Sequence, residues 1–81
     1  MFLSLKNIKN KIADYLLRHL SSPDASTVKL SDTQQEIADR FGVTRPSLAR
    51  AFAEMEQEGI ISIDRKTITI NRLQQLRQIA K

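Results

Sequence analysis

Two helix-start signals with one glycine between them constrain this chain more than any other feature. Thr33-Gln34-Gln35-Glu36 has the form of a capping box, in which the Thr33 hydroxyl accepts the Glu36 N–H and the Glu36 carboxylate accepts the Thr33 N–H. Thr44 offers a second N-cap, followed by Pro46 in the first turn, where a missing N–H does no harm. Gly42 stands between them, the residue type that leaves a helix at positive φ. The stretch is therefore expected to form two helices joined by a tight turn, one from Thr33 to Gly42 and one from Thr44 to Gly59.

Each helix has one side suited to burial. Ile37, Ala38 and Phe41 form a narrow stripe on the first. On the second, at about 100° per residue, Ala51, Phe52 and Met55 fall within roughly 60° of Leu48. Pro46, Arg50, Ala53 and Gln57 fall opposite, with Arg45 and Ala49 along one edge of that strip and Ser47 toward the other. Two helices crossing at about 90 to 120° need a small residue where they touch and a turn residue where the chain reverses. Ala38 and Gly42 are spaced for those roles, and Phe41, Val43, Leu48 and Ala51 would fill the wedge, which describes a helix-turn-helix at about residues 33–58.

The remaining segments supply a frame. Leu5, Ile8, Ile12, Leu16 and Leu20 recur at helical spacing after Ser4, a possible N-cap, while Lys6, Lys9, Lys11 and Arg18 form a basic face for water or phosphate. Ser21 to Thr27 has the composition of a loop, and Val28-Lys29-Leu30 could pair as a strand. Beyond Gly59 the period changes to two: Ile61, Ile63, Ile68 and Ile70 face one way, Ser62, Thr67 and Thr69 the other, giving a hairpin over about 60–70 that turns at Asp64-Arg65-Lys66. Asn71 would cap a closing helix carrying Leu73, Leu76, Ile79 and Ala80. The expected fold class is mainly α with a small β-hairpin (α+β), a winged helix-turn-helix with a three-helix core, a wing and a short C-terminal helix, forming a single domain over residues 1–81.

At 81 residues, a chain buries only about 60% of its unfolded surface, which leaves little room for a deep substrate cavity. Without cysteine there are no disulfides, thiolate metal sites or cysteine nucleophiles, and the composition suits a reducing, cytoplasmic setting. Apolar runs fall far short of the roughly 20 residues that cross a bilayer, so no membrane partner is expected. The single histidine, His19, lacks an acidic partner at helical spacing, and Gly42 and Gly59 cannot build a phosphate loop. Glu54, Glu56 and Glu58 read as a solvated helix end rather than a metal site. No enzyme, metal or cofactor is expected in this chain.

The net charge of +4 favours an anionic partner, and its distribution sharpens that preference. Residues 1–30 carry five cations and two anions, residues 31–59 three and six, and residues 60–81 five and one, so positive charge brackets the second helix of the pair. That helix is itself polarised: Arg45, Pro46, Ser47, Ala49 and Arg50 crowd its start, and the glutamates its end. A recognition helix meets base edges through its first turns, where acidic residues would be repelled. Arg45 and Arg50 suit bidentate contact with guanine, while Ala49 and Ala53 permit close approach of the backbone, so Arg45, Pro46, Ala49 and Arg50 form the expected base-reading set for double-stranded DNA. Thr33, Gln34, Thr44, Ser47, Arg65 and Lys66 are the candidates for phosphate contact. A winged helix that docks another protein, without binding DNA, is the alternative.

The stretch QQEIADRFGVTRPSLARAFAEMEQEGIISIDRKTITI resembles the carboxy-terminal winged-helix domain of Crp-Fnr type bacterial transcription regulators, and KIADYLLRHL looks like that domain's first helix, the loop and VKL like its short strand pair. The resemblance implies that TRPSLAR opens the reading helix, with Arg45 and Arg50 at base-contacting positions, Thr44 and Ser47 at phosphate-contacting ones, and Lys66 matching the wing lysine. It further implies a homodimer in the full-length regulator, formed through a segment missing here. The family's best-known members carry Glu where this chain has Pro46, which cannot accept from cytosine N4 or adenine N6, so the operator of the cyclic-AMP receptor is not expected. An amino-terminal effector domain does not fit in 81 residues. The chain is then either one domain of a longer regulator or a shortened relative.

Overall fold

A computed structural model describes residues 5–20, 22 and 25–80, in the order α1 (Leu5–Arg18), β1 (Thr27–Lys29), α2 (Gln34–Phe41), α3 (Arg45–Gln57), β2 (Ile61–Asp64), β3 (Thr67–Ile70) and α4 (Leu73–Ala80). Both start signals operate as their chemistry dictates. Glu36 N–H donates to Thr33 Oγ1 at 3.1 Å and Thr33 N–H to Glu36 Oε1 at 2.9 Å, closing the capping box of α2. Gly42, at φ 71°, ends that helix, and Val43 N–H reaches back to the Ala38 carbonyl, satisfying a C-terminal acceptor. Thr44 caps α3.

One core joins these elements. Ile8, Ile12 and Leu16 from α1, Ile37 and Ala38 from α2, Leu48, Ala51 and Met55 from α3, and Leu76 from α4 are all buried. α1 packs against both α3 and α4. The hairpin and β1 make one antiparallel sheet of order β1-β3-β2, in which Ile61 pairs with Ile70, Ile63 with Ile68, and Ile68 with Val28. The alternating isoleucines thus bury Ile61, Ile68 and Ile70 together with Val28. The architecture is the α+β winged helix-turn-helix expected from the sequence.

Several local expectations change. The strand before α2 begins at Thr27 and joins the wing's sheet, with Leu30 N–H donating to the Lys66 carbonyl just beyond it. Asp64 belongs to β2, paired with Thr67, so the wing loop is Arg65-Lys66, and Arg65 supplies the positive φ of 56° that its missing glycine would have provided. Asn71 does not cap α4: its Nδ2 donates to Ser62 Oγ at 2.9 Å, and Arg72 accepts the first helical bond from Leu76 N–H. α1 stops at Arg18 and α3 at Gln57, short of Leu20 and Gly59. The Ser4 cap, the side chains of Leu5 and Lys6, and Ser21, Pro23 and Asp24 of the loop lie outside the described residues.

Candidate nucleic-acid interface

The cap of α3 divides the labour of two hydroxyls. Thr44 Oγ1 accepts from Ser47 N–H at 3.3 Å and donates to Ser47 Oγ at 2.9 Å. Its proton is therefore engaged within the cap, whereas the Ser47 hydroxyl retains a proton for an outside acceptor. Of the two residues expected to contact phosphate at this end, Ser47 is the better placed donor.

A cleft of about 190 Å³ opens between this helix start and the wing. Leu30, Phe52, Ile63 and Ile68 give it an apolar lining, and Arg45, Thr33, Gln34, Arg65 and Lys66 line it together with one acid, Asp32. Residues from α2, α3 and the hairpin loop that lie far apart in sequence thus share one concavity. Pro46, Ala49 and Arg50 lie outside it, on the exposed face of α3, with Ala53 one turn further along. Thr44 and Ser47 also stand apart from the cleft lining, at the α3 cap.

The charges on α3 separate by partner as well as by position. Arg45 and Arg50 are exposed and take part in none of the ion pairs found among the described residues, and the same holds for Arg65 and Lys66 of the wing. The glutamates are occupied instead. Lys9 of α1 binds Glu58 Oε1 at 2.8 Å and Glu54 Oε1 at 3.2 Å, and Glu56 Oε2 accepts from Ile63 N–H at 3.1 Å. These acids stay largely exposed, in keeping with the solvated helix end read from the sequence, and they also tether α3 to α1 and to the wing.

On the basic face of α1, Lys11 and Arg18 remain exposed, as a solvated face requires, while Lys9 and Lys11 also bond to other elements. Lys11 Nζ donates to the Phe41 carbonyl at 2.9 Å, at the C-terminus of α2, where the helix dipole favours a cation, and Arg18 pairs with Asp14. Lys9 is only 18% exposed at its side chain, and its hydrogen bond to Glu58, with a smaller contribution from that to Glu54, raises its pKa above 10.5 despite its burial. The acceptors of Lys9 and Lys11 come from elements distant in sequence, which spacing along α1 does not reveal, whereas Arg18 finds Asp14 within α1 itself.

One partly buried network escaped the sequence reading. The Tyr15 hydroxyl donates to Asp32 Oδ2 at 2.9 Å, and Arg40 Nη2 approaches the same oxygen at 3.4 Å, so α1, the residue before the α2 cap and the end of α2 meet at one carboxylate. Burial and the bond to Asp32 push the Tyr15 phenol up to about 12. Phe41 meets the Tyr15 ring edge-on at 5.9 Å, and His19 stacks on it at 4.0 Å while its Nδ1 lies 2.8 Å from the Tyr15 carbonyl. His19 is thus a packing residue. Among the described residues no cluster of three or more His, Cys, Asp or Glu could hold a metal ion, and no helix is long and apolar enough to cross a membrane.

The family model described as the Crp-like helix-turn-helix domain matches residues 10–79. A search of curated proteins finds no match. Among solved structures, DNR from Pseudomonas aeruginosa is similar at 25% identity and a TM-score of 0.82, covering 93% of this chain and 34% of its own. The CO-dependent transcription factor CooA from Carboxydothermus hydrogenoformans is similar at 22% identity and 0.79, with 95% and 38% covered. A CRP-family transcriptional regulator from Thermus thermophilus is similar at 28% identity and 0.73, with 90% and 40% covered. The chain therefore spans two-fifths or less of the length of each of these proteins. Transcription regulation, rather than catalysis, is the business of the named regulators among them. Because the family model runs from α1 through α4, the chain belongs to the Crp-like helix-turn-helix domain family.

Proposed function

We propose that residues 1–81 form the DNA-binding domain of a Crp-Fnr type transcription regulator, binding double-stranded DNA with sequence specificity. The observation that carries this reading is the segregation of charge: Arg45, Arg50, Arg65 and Lys66 are exposed and form no ion pair among the described residues, while Glu54, Glu56 and Glu58 are tied to other parts of the fold. A groove lined by phosphates attracts the first set and repels the second. In this reading α3 enters the major groove, where Arg45 and Arg50 donate to guanine O6 and N7, and Pro46 and Ala49 lie against the neighbouring base edges. Ser47, Thr33, Gln34, Arg65 and Lys66 hold the backbone on either side, with Thr44 supporting Ser47 from the cap.

A single copy covers one half-site. In a full-length regulator, two copies related by a dimer axis would bind half-sites centred roughly 34 Å apart. Titrating this chain with duplex DNA across a range of salt, beside a sizing column, tests the reading. Binding that weakens steeply with salt supports it, while salt-insensitive or absent binding favours a protein-docking role instead.

A further inference from the structure

A hydrogen bond from a backbone N–H of the wing to a side chain of α3 joins the two elements. β2 is an edge strand, and its partner β3 occupies only one side of it. Asp64 and Thr67 flank the two-residue loop, and antiparallel ladders alternate residues that bond across the pair with residues that face outward. Ile63, next to Asp64, accordingly presents its N–H to the open side, where Glu56 Oε2 accepts it at 3.1 Å. Glu54 and Glu58, the acids on either side of Glu56, bind Lys9 instead, so Glu56 alone of the three reaches the wing. We propose that Glu56 is a positioning residue for DNA binding: it sets the wing's attitude to α3 and so places Lys66 on the backbone while α3 lies in the groove. This rests on the proposed DNA-binding role, in which the wing contacts phosphate.

Simple electrostatics makes the opposite forecast, which gives the test its leverage. A glutamate near DNA opposes binding, so its removal should strengthen binding unless the carboxylate also holds the wing. Glu56→Gln and Glu56→Ala carry the same charge and differ in whether an oxygen acceptor remains, and Glu56→Asp keeps the charge but shortens the reach. Affinity of the whole chain for a random duplex, measured across salt with and without Lys66→Ala, separates the cases. Glu56→Gln is expected to bind at least as tightly as the unsubstituted chain, and Glu56→Ala about three- to tenfold more weakly than Glu56→Gln. Lys66→Ala should lower the salt slope by about one in the unsubstituted and Gln backgrounds, and much less in the Ala and Asp backgrounds. Exchange of the Ile63 amide should be slow wherever the acceptor remains and fast in Glu56→Ala. Equal binding by the Gln and Ala variants with equal Lys66→Ala effects overturns the positioning role, as does Ile63 exchange that is the same in all. A Lys66→Ala substitution silent in the unsubstituted chain overturns it by a different route, since the wing then contacts no DNA while slow Ile63 exchange still reports the tether.

Discussion

Lys9 Nζ lies 2.8 Å from Glu58 Oε1, an ion pair that fastens α1 across the carboxy-terminal half of α3. With Glu54 at 3.2 Å on the same ammonium, a single cation restrains two acids of α3 and its C-cap. Glu58 is about half exposed at its side chain, so each pair is worth less than a buried one.

Replacing that cation should be measurable but not ruinous. Lys9→Met is expected to destabilise the fold by about 1 kcal/mol, the upper range for partly exposed pairs, as a lower urea midpoint with unchanged slope. The Lys9 pKa is raised in the fold, so the pair contributes fully below the unfolded value of 10.5 and is lost as pH rises through the folded value. The Lys9→Met protein should lack that component of alkaline destabilisation.

Tyr15 offers a second, independently readable loss at high pH. It is the only tyrosine in the chain and there is no tryptophan, so phenolate absorbance reports this one residue. Its pKa of about 12 exceeds the ordinary 10 because burial, and then the bond to Asp32, favour the neutral phenol. Stability from this group is complete below pH 10 and falls as pH rises from there toward 12. Tyr15→Phe should remove that dependence and cost about 1.5–3 kcal/mol, the range for a hydrogen bond to a charged acceptor. An unshifted phenolate titration in the folded chain would show that Tyr15 is neither buried nor bonded to Asp32 as described.

Gly42 is required by its backbone and not by crowding. Its φ is 71°, and a Cβ added there would meet nothing within 4 Å. Gly42→Ala is therefore expected to cost about 1–2 kcal/mol from the left-handed conformation alone, and Gly42→Asn clearly less, both read by thermal unfolding. A loss well beyond that range would mean that the turn itself rearranges.

The parts of this fold that the sequence disclosed are those with local causes. The Thr33–Glu36 box, Gly42, the Thr44 cap and the alternating isoleucines each act through residues within a few positions, and each forms as its local chemistry dictates. The exposed strip of Arg45, Pro46, Ala49 and Arg50 follows from helical phase in the same way. What sequence could not disclose were bonds between distant segments. Lys9 with Glu54 and Glu58, Tyr15 with Asp32, Lys11 with the Phe41 carbonyl and Glu56 with the Ile63 amide all depend on how α1 and the wing settle against the helix pair. The one available hint was opposite charge: a basic stripe on the first helix and an acidic end on α3 invite pairing, though nothing in their spacing specifies it. Asn71 shows the converse, a residue suited to capping that is drawn to Ser62 across the hairpin base.

The most direct test of the proposed role compares Arg50→Ala on two duplexes, one recovered by selection from a random pool and one of random sequence. If Arg50 reads a base, the substitution costs about 1–3 kcal/mol on the selected duplex, relaxes preference at one base pair and changes random-duplex binding little. An equal loss on both duplexes, or no selectable sequence at all, would contradict the assignment of α3 as the helix that reads DNA.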